Sequence, residues 1–281
     1  EIFITMKKII LGIFMMIFPF LGFAQITEGF EGATFPPTTP GNWIVLDNGV
    51  GTTVSWTETT DPTRVNTGLK AAIMDRENVG AGNTSIDWLI SPQITVGANS
   101  QLRFFTRQTL TGNNGSTYEI RVSTNATQNN LAAYAPVQNW TETTLNATFN
   151  IYEEKIVSLA AYPAGTQLYI AFVKSNTQPA GATTGDRWLI DDVKVVQQCL
   201  DPTILTVGAI TPTTASLGWT NNGTATSWEV EVVPAASAPT GVGVPAPTNP
   251  FVVGPLIPGT AYKYYVRANC GSGNFSQWVG P

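Results

Sequence analysis

The chain has 281 residues, a formal charge of -5 and no histidine. That balance offers no basic surface to a phosphate backbone, so nucleic acid is not an expected partner. The missing histidine excludes Ser-His-Asp and Cys-His nucleophilic machinery and His-ligated zinc, which leaves carboxylate or lysine chemistry as the only catalytic options.

Residues 1–24 read as upstream residues and an export signal. Met6-Lys7-Lys8 supplies a positive start, Ile9 to Phe23 an apolar run, and Gly22-Phe23-Ala24 a small-x-small cleavage site before Gln25. A membrane anchor is the weaker alternative, because this run is shorter than the roughly 20 residues a spanning helix needs. No later stretch is long and apolar enough to span, so the mature chain is expected to be secreted or held at the cell surface without a membrane span.

From residue 25 onward the composition is that of an all-β protein. Over the whole chain charged residues make up 12% and there are 26 Gly and 19 Pro, and in this part Thr, Asn, Ser, Val and Ile recur in short alternating runs. Strands are expected over 43–46, 87–90, 101–107, 117–123, 154–159, 167–174 and 187–196. Asn-Asn-Gly, Ala-Gly-Asn and Pro-Ala-Gly turns separate them. Short strands at this spacing predict a jelly-roll β-sandwich over 25–198, followed by a smaller module over 199–281. Pro92 cannot donate to a ladder and should stop the strand before it. Trp43, Trp56, Trp88 and Trp188 are expected in the core, with a sugar-stacking surface Trp as the minority alternative.

Few residues carry candidate chemistry. Cys199 and Cys270 lie far apart in an exported chain, where a disulfide is the default reading. Asp191 and Asp192 sit side by side in an alternating run. Their side chains should point to opposite faces, so they should not act as one acid-base pair. Alternation groups Asp191 with Leu189, Val193 and Val195, and a carboxylate on so apolar a face needs a partner or a cation. Asp75-Arg76-Glu77 reads as a solvated turn with local pairing. Glu58, Glu119 and Glu142 are the candidates for a carboxylate glycosidase, which needs two carboxyls about 5 to 9.5 Å apart; no such pair is visible in sequence.

Gly29-Phe30-Glu31-Gly32, Phe35-Pro36 and Gly41-Asn42-Trp43, then Asp87-Trp88-Leu89-Ile90-Ser91-Pro92, then Trp188-Leu189-Ile190-Asp191-Asp192-Val193 resemble the cleaved-adhesin or choice-of-anchor J group of MAM-like jelly rolls. The resemblance covers residues 27–196, and the group is typical of proteins secreted by Bacteroidetes. It implies a structural calcium that ties the first strand to the last, with Glu31 and Asp191 as carboxylate ligands. Asp47 is a further oxygen donor. The plain alternative is that Glu31 caps backbone amides and Asp191 pairs with Arg187 or Lys194. The seven Asn-x-Ser/Thr triplets, Asn139-Trp140-Thr141 among them, are in a bacterial exported protein an accident of Thr/Asn richness.

The second half resembles a fibronectin type III module. Residues 214–219 read as its strand B, 228–233 as strand C, and Leu256 to Tyr262 as the tyrosine corner. Tyr264, Val266 and Ala268 should face inward and Arg267 outward. The final strand would begin at Trp278 to Pro281, so the module is expected to be C-terminally incomplete, with further modules and a type IX sorting domain downstream. The expected function is non-catalytic adhesion to an extracellular glycan or protein ligand. The alternative is a set of accessory modules of a larger secreted hydrolase.

Overall fold

The computed structural model describes residues 26–51, 53–180, 185–271 and 273–281. The expected export signal over 1–24 lies outside the described residues. Among them, twelve strands build the first module: β1 (Thr27–Glu28), β2 (Ile44–Asp47), β3 (Thr57–Thr59), β4 (Ala71–Met74), β5 (Thr84–Ile90), β6 (Ile94–Thr95), β7 (Ser100–Arg107), β8 (Ser116–Ser123), β9 (Ala135–Thr141), β10 (Glu153–Ser158), β11 (Gln167–Thr177) and β12 (Trp188–Gln197). They form two antiparallel sheets. One runs β10-β7-β12-β4-β3 with β1 also on β12, and the other runs β2-β5-β11-β8-β9 with β6 also on β11.

Alternation of apolar side chains drives the packing of the two sheets. Leu102 and Phe104 of β7 meet Ile120 of β8 and Ile170 and Phe172 of β11 in one core. Trp43, Trp56, Trp88 and Trp188 are 2%, 4%, 4% and 0% exposed, as the sequence predicts for core residues. Trp188 packs against Trp56 at 5.4 Å and Tyr118 at 5.2 Å between ring centroids. Its truncation to alanine would cost about 3–5 kcal/mol. Trp88 sits instead on the outer face of its sheet with Ile90, Tyr134, Tyr169 and Val173. The Tyr134 hydroxyl donates to the Gln128 carbonyl at 2.7 Å and the Gln128 amide donates to the Ser91 carbonyl at 2.8 Å. The 126–134 segment is thereby tied over this aromatic face and closes it.

The last strand departs from the sequence reading. Asp191 opposes Phe105 and Lys194 opposes Arg103, so Asp192 and Val193 together face the single residue Phe104. This is a β-bulge, with Asp192 in the left-handed region at φ 49°. Asp is one of the few residues that visits that region readily. The bulge switches the parity of the strand: Trp188 and Ile190 point into the core before it, and Val193 and Val195 after it. The expected grouping of Asp191 with Val193 and Val195 is therefore incorrect.

The second module carries β13 (Thr203–Ile210), β14 (Ala215–Thr220), β15 (Ser227–Pro234), β16 (Val244–Ala246), β17 (Phe251–Val253) and β18 (Tyr262–Asn269). They pair as β13-β14-β17 and β16-β15-β18 around Trp219 and Trp228, whose rings lie 5.5 Å apart. The Tyr262 hydroxyl accepts the Ile257 N–H at 3.1 Å, so the tyrosine corner forms. Tyr264, Val266 and Ala268 are buried, again as expected. Past β18 the chain turns back along it: Val279 exchanges both backbone hydrogen bonds with Val266 at 2.9 Å, and Asn269 bridges Phe275.

Candidate functional site

Along one edge of β12 lie two partners, β4 on residues 188–190 and β1 on residues 193–194. The gap between them falls at Asp191 and Asp192 and is filled by the 66–70 loop. Asp191 Oδ2 accepts the backbone N–H of Asn66 at 3.0 Å and of Thr67 at 3.3 Å. Asp192 accepts the Asn66 side-chain amide and the Thr67 hydroxyl, both at 2.7 Å. Glu31 accepts the N–H of Leu69 at 2.9 Å and of Lys70 at 3.0 Å. Gly68 bends the loop at φ 68°, where a Cβ would collide with the Glu31 carboxylate.

Glu31 and Asp191 thus both hold the 66–70 loop, and Asp192 joins them. The bulge overturns the expectation that the two aspartates work on opposite faces. Of the plain alternative, the Glu31 half forms, since that carboxylate caps the Leu69 and Lys70 amides, whereas the pairing of Asp191 with Arg187 or Lys194 does not. Arg187 is taken by Asp75 at 2.7 Å, and no Lys or Arg among the described residues lies within ion-pair distance of Glu31, Asp191 or Asp192. Burial pushes the Asp191 carboxyl up to about 6, against the pull of the Asn66 N–H. Asp47 lies in the other sheet, opposite Asp87, and its carboxylate accepts the Gly49 N–H at 2.6 Å. It makes no contact with the loop. Among the described residues no group of three or more His, Cys, Asp or Glu side chains is arranged as a metal cage.

The glycosidase candidates are all engaged elsewhere. Glu58 pairs with Lys70 at 3.1 Å and Glu119 with Arg121 at 2.5 Å. Glu142 is buried and accepts the N–H of Asn114 at 2.5 Å and of Ser116 at 2.8 Å. Within the Asp75-Arg76-Glu77 cluster the solvated reading fails for Glu77. It is 8% exposed and accepts the Thr53 hydroxyl at 2.5 Å.

Sequence reasoning missed two buried titratable groups that face each other across neighbouring strands. Asp87 of β5 and Lys174 of β11 are register partners inside the sandwich, 1% and 2% exposed. The Lys174 ammonium donates to the Asp75 carbonyl at 2.9 Å, while neither Asp87 oxygen has a hydrogen-bond partner. Burial pushes Asp87 up to about 7, with Lys174 opposing, and pushes Lys174 down to about 8, with Asp87 opposing. The available signal was a charged residue in each of two apolar strands.

At the other end of the chain Cys199 and Cys270 form a disulfide with a Cα separation of 5.7 Å, as expected. It joins the start of the second module to the turn after β18.

Three comparisons place the chain among known proteins. No curated protein matches it. Among solved structures, the K1 cleaved adhesin domain of Lys-gingipain from Porphyromonas gingivalis W83 is 20% identical over 62% of this chain and 98% of that one, with a TM-score of 0.44. The K2 cleaved adhesin domain of Lys-gingipain is likewise 20% identical over 62% and 98%, with a TM-score of 0.41. The CBM22-1 xylan-binding domain of Paenibacillus barcinonensis Xyn10C is 12% identical over 60% and 91%, with a TM-score of 0.35. The fibronectin type III domain family model matches residues 200–280. With its paired three-stranded sheets and tyrosine corner, the second module of this chain is a fibronectin type III domain.

Proposed function

We propose that this chain is a non-catalytic ligand-binding protein that works outside the cell. In this reading the jelly roll binds an extracellular glycan or protein and the fibronectin module acts as a spacer. The observation that carries it is the engagement of every candidate acid-base carboxylate: Glu58 and Glu119 are held in ion pairs and Glu142 by backbone amides. A two-carboxylate glycosidase needs one carboxyl to give a proton and a second to act on the opposite face. The disulfide supports an oxidising location. No helix among the described residues is long and apolar enough to cross a membrane.

The reading includes a structural calcium at Glu31 and Asp191. Glu31, Asp191 and Asp192 all hold the 66–70 loop with no Lys or Arg within ion-pair distance among the described residues, and carboxylates left uncompensated in this way support a hard cation, which takes six to eight oxygens. The ion would neutralise that charge; Asp47 takes no part. Arrays of glycans and extracellular matrix proteins, probed with the disulfide-bonded chain, test the function. Saturable binding without turnover supports it, and hydrolysis of an arrayed glycan that is lost on Glu142→Gln overturns it.

A further inference from the structure

A cleft of about 580 Å³ lies where the two modules meet. That volume is within the range of small-ligand sites, about 300–1,000 Å³. Lys194 and Gln197 of β12, Gln198, Thr27 of β1 and Arg103 of β7 form one wall, and Cys270, Gly271 and Asn274 the other. The chain carries a net -5, yet this lining holds two cations and no carboxylate. Arg103 is already bidentate on Glu154 at 2.8 and 2.6 Å. Lys194 has no ion-pair or hydrogen-bond partner for its ammonium among the described residues, and the same holds for the side chains of Gln197, Gln198 and Thr27. The lining contains no aromatic ring and one aliphatic side chain, Val196, so neither ring stacking nor apolar peptide anchors can supply the affinity.

We propose that this junction cleft binds an anionic saccharide, a deepening that rests on the ligand-binding reading above. The acidic group sits on Lys194, and sugar hydroxyls exchange hydrogen bonds with the Gln197 and Gln198 amides and the Thr27 hydroxyl. Amides and hydroxyls both donate and accept, which matches the vicinal hydroxyls of a sugar ring. A lone ammonium is a point charge that accepts a carboxylate or a sulfate equally well. The two walls are held at a fixed distance. The Cys199–Cys270 disulfide links them covalently, and the Asn274 amide donates to the Gln197 carbonyl at 2.8 Å. Such preorganisation removes part of the ordering cost of binding.

The test is calorimetric titration of the disulfide-bonded chain with oligogalacturonate, chondroitin sulfate oligosaccharides, uncharged cello-oligosaccharides and poly-glutamate. At low salt at least one anionic saccharide binds, and the carboxylate and sulfate arms identify the acidic group. Lys194→Gln weakens that binding at least about tenfold, one charge-assisted hydrogen bond's worth. Lys194→Arg retains it, and Lys263→Gln, on β18, leaves it unchanged. Unaltered affinity in Lys194→Gln overturns the site. Equal affinity for the uncharged sugars or for poly-glutamate overturns the ligand class. Either result leaves the broader reading standing if some arrayed ligand still binds, whereas failure of every array overturns both.

Discussion

Asp191 and Asp192 hold the same loop residue. The Asn66 backbone N–H donates to Asp191 at 3.0 Å while the Asn66 side-chain amide donates to Asp192 at 2.7 Å. Two neighbours on a regular strand could not do this, because their side chains diverge. The bulge turns the second aspartate back to the side of the first.

The proposed calcium should show itself as a stability change. An ion that binds only the folded chain raises stability by RT ln(1 + [L]/Kd), so chelation should lower the melting temperature of the jelly roll. Asp191→Asn should abolish the response. Asp192→Asn, on the same loop, should shrink it, and the fibronectin module should be indifferent. Scanning calorimetry with and without chelator measures this, and an equal response in wild type and Asp191→Asn would sink the assignment.

The Asp87–Lys174 pair makes a second expectation. Lys174→Met removes the charge that favours ionised Asp87 and should cost about 3 kcal/mol or more above about pH 7, where the carboxyl would otherwise be ionised. The double variant Asp87→Leu/Lys174→Met should come within about 1 kcal/mol of wild type or exceed it. Urea denaturation of the three proteins measures the difference, and a double variant worse than the single would refute the account.

The same pair imposes a pH slope. Asp87, facing Lys174, Glu77 and Asp47, holds its proton in the folded chain up to about 7, against 3.8 in the unfolded chain. Between those values the folded chain binds more protons, so this group makes stability fall as pH rises. Lys174, lowered from 10.5 to about 8, acts in the opposite sense above about 8. Removing both groups should flatten the stability profile between about pH 4 and 7 relative to wild type; an unchanged slope would show that other groups cause it.

Reducing the disulfide should loosen one module. Its loop closure is worth roughly 4 kcal/mol in the chain-entropy picture. Cys199→Ser/Cys270→Ser should therefore speed amide exchange in β15 and β18 and leave β7 and β11 protected. Equal acceleration in both modules would contradict the assignment.

Glu142→Ala should behave as a structural change. The buried Ser116 N–H loses its acceptor, at a cost of about 2 kcal/mol. Turnover of oligosaccharides should be absent before and after the substitution.

Much of this was legible where a face alternates. β7 and β8 follow from apolar residues at every second position, β11 from a continuous apolar run over 168–173, and the tyrosine corner from Leu256 to Tyr262. β4 was not legible, because Ala71 to Met74 are buried on both faces and show no period of two. The Asp87–Lys174 contact depends on the β5–β11 register, which no local pattern reveals. The bulge left no clear trace either, because Leu189 and Val196 are apolar as well and hide the change of parity between 188, 190 and 193, 195. What the sequence could not show is that Glu58, Glu119 and Glu142 are occupied, since their partners come from other strands or turns.

The disulfide also decides how the chain carries mechanical load. Its ends are 71 residues apart in sequence, about 250 Å of extended chain. Under tension, force arriving along β12 crosses the sulfur bridge straight to the turn after β18 and never pulls on the strands between. The core around Trp219 and Trp228 is thereby out of the force path, and that stretch cannot unravel while the bridge is intact. Oxidised, the second module would act as a short inextensible link; reduced, it would become a spring with that hidden length to release.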